Sequence, residues 1–226
     1  MLKNSFCHVP GIGAVYERRL WSLGVNSWDK VLNGYSSTLT GRRFSSLSRH
    51  IERSFHELES QNAPFFAKSM PSDEHWRMFP EFRDSIAYLD IETTGLRAGG
   101  NTITCISVYD GREIRCYVRG RNLDEFKGDI AKYKLLVTYN GKCFDVPVIE
   151  QNLRVRFDVT HIDLRYVLTS LGYMGGLKMC EKQFGIDRGS LDGVDGYYAV
   201  LLWNEYVKSG NEHALETLMA YNIEDV

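Results

Sequence analysis

The chain has 226 residues, 43% hydrophobic and 25% charged, with a net charge of −2. This is the profile of a globular protein with apolar surface enough for a real core, sized for one large domain or for about 150 residues plus a small accessory unit. No run of about 18 apolar residues occurs, so no membrane span is expected. The N-terminus lacks a secretion signal. Five scattered cysteines (Cys7, Cys105, Cys116, Cys143, Cys180) contain no C-x-x-C pair, which speaks against a zinc site or disulfide framework and for reduced thiols in a cytoplasm.

In chain order, residues 1–60 read as a helical module. Apolar residues recur at helical spacing in VYERRLWSLG and SWDKVL, with Gly24 and Gly34 placed as C-terminal caps. FSSLSRHIERSFHELES follows as an amphipathic helix carrying Phe44, Leu47, His50, Ile51, Phe55 and Leu58 on one side. Residues 61–84 lose periodicity, hold Pro64, Pro71 and Pro80, and read as a connector crossing the next domain's surface, pinned by Phe65, Phe66, Trp76 and Phe79. Residues 85–226 form the third part. SIAYLDIE, TITCISVYD and REIRCYVRG read as strands, the last two joined by an Asp110-Gly111 hairpin. A helix over NLDEFKGDIAKY, a buried strand LLVTYN, a helix DVPVIEQNL and a strand candidate THIDLR come next. From about Tyr166 the pattern is mostly helical. A strand meander, then alternation, then helices predicts a mixed-sheet α/β domain with helices on the sheet faces.

Charge divides unevenly. Residues 1–80 carry 10 Lys+Arg against 7 Asp+Glu, and residues 81–226 carry 17 against 22. A mildly basic front and an acidic body fit a nucleic-acid-gripping module joined to a carboxylate-rich site, although scattered surface charge would look much the same.

Four carboxylates stand out. Asp90 and Glu92 lie two apart at the end of an apolar strand, so both point to one face, where two acids are costly unless a cation neutralises them. Thr93, Thr94 and Gly95 follow in a turn that a ligand could approach. Asp145 follows a buried strand and precedes Val146-Pro147, a setting that also suits a helix N-cap. Asp225 stands four residues after Tyr221, on the same face of a helix. Together these acids suit two hard divalent cations, Mg2+ or Mn2+, about 4 Å apart. Tyr221 would orient or help deprotonate a water. Asp163 reads as a strand-end structural residue and His161 as a packed strand histidine.

The strings LDIETTGL, YNGKCFD and YNIED resemble, in order, the three motifs of DEDDy-type exonucleases with the ribonuclease H-like fold, the class that includes family B polymerase proofreading domains. The lead-in FPEFRDSIAYLDIETTGL is most similar to YprB-type proteins. The resemblance covers roughly residues 81–226. It implies a five-stranded mixed sheet flanked by helices and 3′-to-5′ hydrolysis of phosphodiesters, catalysed by Asp90, Glu92, Asp145, Tyr221 and Asp225. It also implies that Thr93 and Leu96 contact the terminal nucleotide and that Asn140 and Phe144 line the substrate groove. Relatives usually continue beyond the third motif, so the expectation is of a trimmed chain or a missing tail after Val226.

FCHVPGIGAVYERRLWSLGVNSWDKVL resembles a helix-hairpin-helix unit with Gly11-Ile12-Gly13 as its hairpin. That implies phosphate gripping by backbone amides, with Arg18, Arg19, Arg42 and Arg43 adding salt-dependent attraction. The expected partner is nucleic acid, DNA before RNA. Structure-selective endonuclease or ribonuclease action on the same site, and a non-cleaving nucleic-acid-binding scaffold, remain open alternatives.

Overall fold

A computed structural model describes residues 1–33, 42–95, 101–157, 159–189 and 196–226, without the side chains of residues 42–44. The chain divides into two compact units, Met1–Asp84 and Ser85–Val226.

The first unit is helical. Its helices are α1 (Ala14–Ser22), α2 (Trp28–Leu32), α3 (Arg42–Glu59), α4 (Ala63–Ser69) and α5 (Phe79–Phe82). Gly24 follows α1 in the left-handed region (φ 84°), as its place in the sequence predicts; Gly34 lies outside the described residues. On α3, Leu47, Ile51 and Leu58 are buried, the stripe expected from the spacing. Residues 61–84, expected as a connector, are counted within the first unit and hold short helices. Asn62 caps α4 by accepting from the Phe65 amide, and Pro64 falls in the first turn, where its missing N–H costs nothing. Phe66, Met78 and Phe82 are fully buried in the first unit, with Phe66 stacked 6.0 Å from Trp28. The prolines that suggested irregular chain instead start short helices.

The second unit is built on one sheet of β1 (Ile86–Thr93), β2 (Ile103–Tyr109), β3 (Ile114–Val118), β4 (Leu135–Thr138) and β5 (Thr160–Asp163), in the order β3-β2-β1-β4-β5. The meander pairs antiparallel, while β1, β4 and β5 run parallel. At the hairpin, Asp110 accepts from the amides of Arg112 and Glu113, and Gly111 takes a positive φ. The helices are α6 (Phe126–Ile130), α7 (Asp145–Leu153), α8 (Leu164–Ser170), α9 (Leu177–Phe184), α10 (Gly196–Ser209) and α11 (Glu212–Ile223). This mixed five-stranded sheet flanked by helices, after an all-helical segment, is the architecture the sequence predicts.

Strand alternation decides what reaches the site. Ala87, Leu89 and Ile91 join Phe126, Ile149 and Leu153 in the core on one face. Cys105 and Val118 pack with Leu202, Leu215, Leu218 and Tyr221 on the other. Asp90 and Glu92, the alternate positions of β1, therefore face the α11 side, on the strand at the centre of the sheet.

Candidate metal centre

Asp90, Glu92 and Asp225 each offer a carboxylate oxygen, and these oxygens all lie within 4.8 Å of one another. The pairing register of β1 with β2 shifts between Glu92 and Thr93, so the strand is irregular just where its second acid ends the run. Asp225 follows directly on the C-terminal cap of α11. That helix also presents Asn222, whose side-chain amide donates to Asp90 at 2.7 Å. Asp145 opens α7 and is 3% exposed. It lies outside the tight trio, but its charge acts on Asp90 and Glu92.

The electrostatics are those of a crowded anionic site. Burial, then Asp145, Asp225 and Glu92, push the Asp90 carboxyl well above the usual range. Burial, Asp225 and Asp145 raise Glu92 to about 8. Burial raises Asp145 to about 7 against hydrogen bonds from its own amide and that of Ile91. Burial also raises Asp225, opposed by Arg188 and Lys178. Oxygen donors held this close, repelling one another, form the set a hard divalent cation takes. The trio can therefore coordinate divalent metal.

Two cations of the chain already lean on the cluster. Arg188 is buried, bonds Glu181 through two nitrogens at 2.6 Å, and pairs with Asp225 at 2.5 Å. Lys178 on α9 donates to the Tyr221 hydroxyl at 3.0 Å and lies 4.7 Å from its ring centre. Burial, Asp225 and Glu92 raise the Tyr221 pKa, so its hydroxyl keeps its proton.

The remaining expected residues fall as follows. Thr93 is buried and its hydroxyl accepts from the Gly95 amide at 3.3 Å; Leu96 lies outside the described residues. Asn140 takes a left-handed backbone (φ 66°) and Phe144 is 37% exposed. Asp163 is structural, accepting from the amides of Asn140, Lys142 and Arg165. His161 pairs with Thr138 inside the sheet at 2.8 Å. In the first unit, Gly11 has φ 81°, Gly13 is the N-cap residue of α1, and Ile12 is buried with its amide donating to the Val9 carbonyl. The Ile12 amide is thus spent inside the turn.

Lys178, Glu181, Arg188 and Asn222 were not foreseen. Asn222 sits inside YNIED and could have been noticed there. The other three come from a stretch with no distinctive local pattern, and only folding carries them to Asp225 and Tyr221.

A central strand bearing clustered acids, in a mixed sheet of this order, defines a nuclease-like class of α/β domain. A family model described as RNase_H superfamily matches residues 87–226, and the chain belongs to that family. It is 28% identical over 166 residues to the protein YprB of Bacillus subtilis (strain 168), an alignment covering 64% of this chain and 40% of that one. The chain thus matches less than half the length of this relative. The family B DNA polymerase of the archaeon Pyrobaculum calidifontis aligns with a TM-score of 0.49 at 20% identity, over 62% of this chain and 23% of the polymerase. The family assignment rests on the model match. It gives the chain a ribonuclease H-like character. No helix among the described residues is long and apolar enough to cross a membrane.

Proposed function

We propose that this protein is a nuclease using two divalent ions, Mg2+ or Mn2+, to hydrolyse phosphodiester bonds, as a 3′-to-5′ exonuclease acting on DNA. The observation that carries the reading is the set of three carboxylates within 4.8 Å on and beside the central strand of a ribonuclease H-like sheet. Asp90, Glu92, Asp145 and Asp225 are the proposed ligands, with Asp145 reaching the site from the start of α7. Ions held there supply Lewis acidity, offsetting charge on a phosphodiester and making water a competent nucleophile near neutral pH.

The chain's own residues do the rest. Asn222 fixes the rotamer of Asp90 by donating to it. Arg188, itself gripped by Glu181, holds Asp225, which lies beyond the regular turns of α11. Lys178 steadies Tyr221, whose hydroxyl orients the attacking water by hydrogen bonding. Thr93 and Leu96 are proposed to touch the terminal nucleotide, and Asn140 and Phe144 to line its groove. The helical unit is proposed to grip the nucleic-acid backbone near Gly11 and Gly13. Five free cysteines support a reducing, cytoplasmic setting.

The test is a gel assay of end-labelled single- and double-stranded DNA and RNA with Mn2+, Mg2+ or EDTA, alongside Asp90→Ala. A ladder shortening from the 3′ end is expected with metal only, with the variant slower by more than about a hundredfold. Discrete internal cuts would make the enzyme an endonuclease. Equal turnover by variant and wild type would sink the mechanism.

A further inference from the structure

Two imidazoles meet in the aromatic core of the helical unit. His8, in the segment ahead of α1, is fully buried, and His50 on α3 lies against it with ring centres 5.6 Å apart. Trp28 of α2 and Phe66 of α4 close on the His8 ring at 5.3 and 5.6 Å. Phe65 stacks on His50 at 5.8 Å.

The hydrogen bonds fix where each proton sits. Ser54 donates its single hydroxyl proton to the His50 carbonyl one turn back. Its oxygen, 2.9 Å from His8 Nε2, can then only accept, so Nε2 carries the His8 proton and Nδ1 is bare. His50 donates to the His8 backbone carbonyl, and since its Nε2 is buried without a partner, the donor is Nδ1. The two bare nitrogens, His8 Nδ1 and His50 Nε2, are both shut off from solvent with no hydrogen-bond partner among the described residues. The two bonds that are made both join the N-terminal segment to α3, three residues ahead of the Gly11 turn.

A second proton on either ring has to enter at a bare nitrogen with no acceptor facing it. The α2 and α4 side chains against the pair, Trp28, Phe65 and Phe66, carry no charge. From α3 comes Arg53, a cation 4.9 Å from the Phe65 ring centre, which Glu57 bonds on the exposed side. From the N-terminal segment come Lys3, 5.6 Å from the ring of Phe55, and Cys7, a thiol that burial raises. No carboxylate on the pair therefore offsets a gained charge. Burial and His50 hold His8 down at about 3, and burial and Arg53 lower His50. Unfolding returns both rings to the ordinary histidine range, near 6.5. The stability they carry is thus fully present above about pH 6.5 and is lost as pH falls toward the folded values. Glu92 and Asp145 of the sheet unit, with raised values, act in the opposite sense.

We propose that the His8–His50 pair is an acid-sensitive latch: a proton taken up at either bare nitrogen releases the N-terminal segment from α3 and opens the helical unit, while the sheet unit stays closed. The latch is independent of any chemistry at the carboxylates. Nitrogen-15 spectra of the histidine rings in the full chain test the proton positions. His8 should be the Nε2–H tautomer and uncharged in the folded protein at pH 5, and His50 the Nδ1–H tautomer. A His8 signal in the Nδ1–H or doubly protonated form overturns the latch. Hydrogen exchange at pH 7.5 and pH 5, corrected for intrinsic rates, tests the opening. Amide protection in α2 and α3 should fall about thirtyfold, while β1 and β4 keep theirs. His8→Gln, whose amide still donates to Ser54 and takes up no proton, should shrink that fall to about threefold. His50→Gln should shrink it less, and serves where His8→Gln does not fold. Helices that stay protected at pH 5, an equal fall in wild type and variants, or a fall shared equally by β1 and β4 overturns the latch.

Discussion

Both units place carboxylates away from water, and they treat them in opposite ways. In the helical unit Glu17 is 1% exposed and fully answered. It accepts from the Ser5 hydroxyl, the amides of Phe6 and Cys7, and the Arg77 guanidinium, at 2.6 to 3.2 Å. In the sheet unit Asp90, Glu92, Asp145 and Asp225 are set against one another, with donors too few to offset their repulsion. A buried acid with a complete set of donors stabilises the fold around it. Acids crowded together with too few donors raise the energy of the fold, and a site that accepts this cost is prepared for a cation from outside.

The largest effect expected from this contrast is at Glu17. Glu17→Ala should destabilise the helical unit by about 3 kcal/mol, because it leaves the Ser5 hydroxyl and the Phe6 and Cys7 amides without their acceptor and the half-buried Arg77 with only Glu74 as partner. Denaturant unfolding with a probe in that unit would measure it. A change below about 1 kcal/mol would erase the distinction between the two kinds of buried acid.

A smaller effect belongs to Arg188. Arg188→Lys keeps the charge but loses the fork that spans Glu181 and Asp225, and Mn2+ affinity measured by calorimetry should fall about tenfold. Tighter Mn2+ binding in the variant would show instead that the arginine competes with the metal.

The smallest effect is a pH trend. Glu92 and Asp145 have folded-state pKa values of about 8 and about 7, above their unfolded values. Below the unfolded values their contribution to stability is fully present; it is lost as pH rises through the folded values. Without metal, the Tm of the sheet unit should therefore drop by a few degrees between about pH 4.5 and 8. Saturating Mn2+ binds the ionised acids, so the trend should flatten or reverse. A metal-free Tm that climbs with pH would contradict the raised values.

What could be read from the sequence follows from the range over which each signal acts. Alternation in SIAYLDIE, the Asp110-Gly111 turn and the Asp145-Val146-Pro147 start of α7 are local, and the structure places those elements where the patterns put them. The motif acids were visible because residue type and strand position coincide at Asp90 and Glu92. Arg188 and Lys178 were invisible because their meaning lies in partners dozens of residues away, at Asp225 and Tyr221. In residues 61–84 proline suggests a break, and only the Asn62 cap, with Pro64 just after it, shows a helix beginning there.

The acids on β1 also bear on how such a sequence drifts. Replacing Asp90 or Glu92 with a neutral residue of similar shape relieves repulsion in the middle of the sheet, so the fold should tolerate the change or gain from it. Stability alone would let these positions go early in a lineage, leaving an intact but silent copy. On the proposed reading, a lineage that keeps them is held by the hydrolysis they would serve, and their loss in a relative would mark where that selection ended.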